Sequence, residues 1–116
     1  MSYDTNVYYN PGATGLTTVG EVDTDGGYGF DMLVVWQRDE DGALFWATDS
    51  GCSCPSPFDA CNSPDDLTAI TNVREFSSAA RGWFREQYSP SMDNRDALER
   101  LIRKVQRLAK KLEAAA

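Results

Sequence analysis

All three cysteines of this 116-residue chain fall in one stretch, DSGCSCPSPFDAC (Asp49–Cys61). Clustered thiols suit a metal centre, a redox pair or a nucleophile. As a zinc site, Cys52, Cys54 and Cys61 supply three ligands where structural zinc takes four. Asp49, Asp59 or a second chain would have to complete the set. A one-residue gap also converges two thiolates less well than C-x-x-C. A Cys52–Cys54 disulfide would close a strained ring, whereas Cys54–Cys61 is spatially feasible in an oxidising compartment. A nucleophilic cysteine needs a base or cation to favour its thiolate, and SGCSCPSPF carries none. Pro55 and Pro57 hold φ and bias the residues before them toward extended backbone. The leading reading is therefore a shaped loop, pinned by Phe58 in the core. Its Asp49, Ser50, Gly51, Ser53, Pro55, Ser56 and Pro57 then form a partner-binding surface. A small zinc-binding or thiol-redox module on Cys52, Cys54 and Cys61 stands as the alternative.

Histidine is absent. That removes Ser-His-Asp and Cys-His nucleophile arrangements, histidine-containing zinc sites and imidazole acid–base chemistry. DTDGG and DEDG resemble calcium loops faintly, but neither completes the ligand pattern with a later glutamate. Turns rich in Asp and Gly account for them. GGYG lacks the lysine of a phosphate loop, and a strand follows it rather than a helix. No paired carboxylates are placed in a cleft. The expectation is a non-enzymatic protein without a cofactor.

Length and composition suit one domain with a modest core. No apolar run approaches a membrane span, and MSYDTNVYYN lacks a signal pattern, so a cytoplasmic protein with reduced thiols is expected. The net charge of −7 is divided unevenly. Residues 1–70 carry twelve acids against one base, Arg38, while residues 71–116 carry six acids against ten bases. Such polarity can order contacts with a partner, or with a copy of the same chain.

The elements that must position these residues follow from periodicity. Residues 1–15 form an irregular arm rich in tyrosine, with NPG as a turn. LTTVGEV (Leu16–Val22) is a first strand. FDMLVVWQR (Phe30–Arg38) is a central strand with Phe30, Met32, Val34 and Trp36 on one face and Leu33 and Val35 on the other. DEDG turns the chain into ALFWAT (Ala43–Thr48). The fold class is α+β, a three-stranded antiparallel meander packed with two C-terminal helices, in a domain spanning residues 16–92 followed by the helix of 93–116. Val73, Phe76, Ala80, Trp83, Phe84 and Tyr88 make one helical stripe, with Asn72 as its cap. Gly82 within it predicts a close packing point.

The last segment, Asn94 to Glu113, places Leu98, Leu101, Val105, Leu108 and Leu112 at spacings of three and four, with Ile102 widening the stripe. Two readings are open. The seam covers the sheet, as amphipathic helices usually do, or it self-associates as a short coiled coil. The opposite face carries Arg95, Arg100, Arg103, Lys104, Arg107, Lys110 and Lys111, a surface suited to phosphates. A chain with a pI near 4.4 has the wrong overall sign for nucleic acid, which makes that the third reading.

At GLTTVGEVD, VVWQRDEDGALFWA and above all DSGCSCPSPF, the chain resembles a group of small proteins encoded by phages of actinobacteria, of mycobacteriophage type. The resemblance spans roughly Tyr8 to Thr71, with DDLTAI (Asp65–Ile70) after the cysteine loop. It implies a phage accessory protein of unknown activity made in the infected cell, and it transfers no catalytic residue. The divided charge, the amphipathic last helix and the lack of a catalytic constellation add the expectation that the protein binds a host or phage protein.

Overall fold

A computed structural model describes residues 6–24, 29–52, 58, 61–87 and 91–115. Leu16–Asp23 (β1), Gly29–Arg38 (β2), Leu44–Cys52 (β3) and Thr68–Ala69 (β4) form one antiparallel sheet in the order β1-β2-β3-β4. Val73–Arg85 (α1) and Met92–Ala115 (α2) follow it. The architecture is α+β as expected, but the sheet has four strands rather than three. β4 comes from DDLTAI and pairs Phe45 with Ala69 and Trp46 with Thr68. Two residues are too few to generate an alternation that a sequence reading could detect.

β2 alternates as its pattern demands. Leu33 and Val35 enter one core cluster, while Phe30, Met32, Val34 and Trp36 enter a second on the opposite side of the sheet. α1 and α2 cover the first side. Phe76, Ala80 and Phe84 of α1 and Leu98, Leu101, Ile102 and Val105 of α2 are buried there against Val19, Val22 and Leu44. Asn72 caps α1, its Oδ1 accepting from the Glu75 N–H at 3.1 Å. Tyr88, the last member of the α1 stripe, lies outside the described residues.

The α2 seam is thus taken up by the chain's own sheet, the first of its two sequence readings. Leu98, Leu101, Ile102 and Val105 cannot also pair with a second copy in this conformation. Leu108 is half-buried, and only Leu112, at 36 % exposure, reaches the surface. The physical reason is supply. The sheet exposes an apolar face that one short helix cannot cover, and intramolecular burial carries no association cost.

The close approach between helix and sheet is not at Gly82, where an added Cβ would meet only Arg85 at ordinary contact distance. It is at Gly20, whose Cβ would stand 2.8 Å from Leu101 Cδ1. A bulge precedes it. Thr18 pairs with Trp36 and Gly20 with Val35, leaving Val19 as an extra residue. Lys104 of α2 donates from Nζ to the Val19 carbonyl at 2.9 Å, filling the acceptor that the bulge frees from regular pairing.

Candidate functional site

The cysteine stretch divides between strand and loop. β3 continues to Cys52, so Asp49, Ser50 and Gly51 pair with Met32, Asp31 and Phe30 instead of opening the partner-binding loop. The ladder runs on because β2 itself begins at Gly29 and supplies partners that far. Ser53, Pro55, Ser56 and Pro57 of that proposed surface, with Cys54, Asp59 and the Cys52 side chain, lie outside the described residues.

Phe58 shows where the stretch returns. It is 2 % exposed and sits edge-on to Trp36, with ring centroids 5.2 Å apart, and beside Tyr8 at 5.9 Å. Its N–H donates to Asp49 Oδ2 at 2.7 Å, and its carbonyl accepts from Asn6 Nδ2 at 2.9 Å. The buried Asn6 also accepts from the Tyr8 and Tyr9 N–H groups at 2.8 Å each. Trp36 Nε1 donates to the Val7 carbonyl at 2.9 Å. The N-terminal arm and Phe58 together therefore cover the second face of the sheet. Burial, with the Glu21 carboxylate 3.0 Å away as acceptor, pushes the Tyr8 phenol up to about 12.

Cys61 belongs to this seat through its backbone. Its N–H donates to the Phe58 carbonyl at 2.9 Å and its carbonyl accepts from the Val7 N–H at 3.2 Å. Its side chain is half-buried and free. Burial raises the thiol's pKa, and the charges of Asp66 and Asp49 add to the effect. A raised pKa means less thiolate at neutral pH and slower alkylation. In a Cys52→Ser/Cys54→Ser background, Cys61 should react with iodoacetamide about tenfold more slowly in native buffer than in urea. Equal rates, read by mass spectrometry, would remove this account. Among the described residues no group of three or more Cys, Asp or Glu side chains is arranged to hold a metal.

A wide concave surface lies elsewhere, between the outer sides of α1 and α2. It is a groove of about 800 Å³. Arg74, Arg81 and Arg85 line it from α1, and Arg103, Arg107 and Lys110 from α2. Spacings of three, four and seven put each set on one helix face. The helices form an antiparallel hairpin, so Arg81 meets Glu99 across it. The guanidinium grips that carboxylate with two hydrogen bonds of 2.9 Å, from Nε and from Nη2. This contact holds Glu99 below the ordinary glutamate range, helped by the charges of Arg103 and Arg95. Among the described residues no carboxylate stands within salt-bridge distance of Arg74, Arg85, Arg103, Arg107 or Lys110. Positive charge is therefore concentrated on one concave face of a protein that is negative overall.

A family model, a domain of unknown function (DUF7574), matches residues 5–111. The chain belongs to the DUF7574 family. No curated protein and no solved structure matches it. The DUF7574 span takes in the Phe58 seat and all six groove cations, so both features lie within the family domain.

The structure sorts the basic residues that the sequence grouped on α2. Arg103, Arg107 and Lys110 line the groove and Lys104 turns to β1, whereas Arg95, Arg100 and Lys111 are not among the groove's lining residues. Sequence reasoning missed Arg74, Arg81 and Arg85. The available signal was their spacing along the polar side of α1, opposite the stripe of Phe76, Ala80 and Phe84. What no spacing could supply was that two separate polar faces converge.

Proposed function

We propose that this DUF7574 chain is a non-enzymatic phage accessory protein that acts in the cytoplasm of the infected host and binds a host or phage protein through the outer face of its helical hairpin. The resemblance around DSGCSCPSPF supports the phage setting. The observation that carries the binding surface is the set of six cations converging on one groove with, among the described residues, a single ion pair. Charges left unpaired in a concavity are poor contributors to the fold and good ones to recognition.

The test uses the placement of the lysines. Lys104, Lys110 and Lys111 are all the lysines of the chain, and all lie on α2. Amine-reactive cross-linking of tagged protein in host cells should join partner peptides to Lys110, the lysine that lines the groove. A partner joined only through the N-terminal amine, or none above the tag-only control, would refute the reading.

A further inference from the structure

Resting on that reading, we infer that the groove receives a short acidic polypeptide segment, a run of Asp and Glu side chains, with Glu99 already occupying one of its carboxylate positions. The hairpin itself displays the recognition chemistry. Arg81 holds Glu99 through paired hydrogen bonds from Nε and Nη2, the fork geometry that guanidinium groups use for carboxylates. Arg74, Arg85, Arg103 and Arg107 offer four further guanidiniums along the same groove. From Arg74 to Arg85 the helical rise gives roughly 16 Å of cationic wall, the length of about five residues of extended peptide.

The boundaries of the groove favour a peptide over a nucleic-acid backbone. Glu113 lines it beside Lys110. Near the same end of α2, Leu112 packs toward Gly42, which follows the exposed acids Asp39, Glu40 and Asp41. A polyphosphate chain leaving the cationic tract there would meet the Glu113 carboxylate, on a protein of net charge −7. A short acidic segment can end before it. Ser77 and Ser78, with the apolar surface of Val73 and Ala109, also line the groove, and this mixture suits a polypeptide better than a row of phosphates.

The experiment measures binding of a fluorescent oligoglutamate peptide and of a labelled oligothymidine to the full chain at low salt. The peptide is expected to bind more tightly than the oligonucleotide. Arg103→Ala/Arg107→Ala should weaken peptide binding about tenfold or more, while Arg100→Ala and Lys111→Ala, outside the groove, should change it less than about twofold. Glu99→Gln should tighten it several-fold, because it removes a negative charge and frees Arg81. Thermal melts check each variant's fold, and if the double variant melts early, Arg107→Ala alone replaces it. Tighter binding of the oligonucleotide, no loss in the groove variant, equal loss in the two outside variants, or weaker binding by Glu99→Gln each overturns the inference. A partner cross-linked to Lys110 while the peptide fails to bind refutes this inference alone. Peptide binding in the groove with no cellular partner refutes the broader reading and leaves the groove's chemistry standing.

Discussion

Replacing Phe58 by alanine lowers the unfolding free energy by about 3–5 kcal/mol, the range for truncating a fully buried aromatic ring. The effect is large because the ring joins two segments to the same sheet face. It packs on Trp36 from β2 and on Tyr8 from the N-terminal arm. Without it, Val7 and Tyr8 lose the neighbour that completes their cover, and water gains access to Trp36. Phe58 also stands at φ 58°, in the left-handed region where a bulky residue is strained. Alanine suffers similar backbone strain, so the alanine variant isolates the side chain. Glycine relieves that strain by about 1 kcal/mol, so Phe58→Gly should be no less stable than Phe58→Ala despite losing one more carbon. Urea unfolding measures both. A loss below about 1 kcal/mol for Phe58→Ala would mean that the ring does not occupy this seat.

Truncating Ile102 to alanine should cost about 2–5 kcal/mol. Ile102 is 1 % exposed, in the layer where α2 lies over β1 and α1. The same substitution distinguishes the two readings of the seam. If Ile102 stabilises a single chain, the loss stays the same over an about hundredfold range of protein concentration, whereas a seam between copies makes stability rise with concentration. A midpoint that climbs with concentration in the wild-type protein, and no longer does so in Ile102→Ala, would restore the self-association reading and displace the packing described here.

How much of this was legible beforehand depends on the reach of each signal. β2 carries its two-faced alternation within nine consecutive residues, Phe30 to Arg38, and the structure assigns them to the two cores in that pattern. The Asn72 cap needs only three residues to act, and it acts. β4 escaped because it consists of two residues whose strand geometry is imposed by β3. The full length of β3 escaped for a similar reason. Ser50, Gly51 and Cys52 have little strand preference of their own, and they are extended because Asp31, Phe30 and Gly29 are opposite them. Gly82 looked like a contact point because it interrupts a helix, yet the glycine that matters is Gly20, beside a bulge visible only once β1 and β2 are in register.

For the candidate site, the sequence alone determined the separation of charge, the absence of imidazole chemistry and the faces of both helices, since each depends on composition or on local spacing. Tertiary structure decided which of those faces met. It placed the α2 leucine seam against the chain's own sheet and turned Lys104 to the Val19 carbonyl. It also brought Arg74, Arg81 and Arg85 opposite Arg103, Arg107 and Lys110. The hairpin geometry follows from burying two apolar stripes on one sheet, and that burial depends on contacts between residues far apart in the chain. The cationic groove is the polar consequence of that apolar packing.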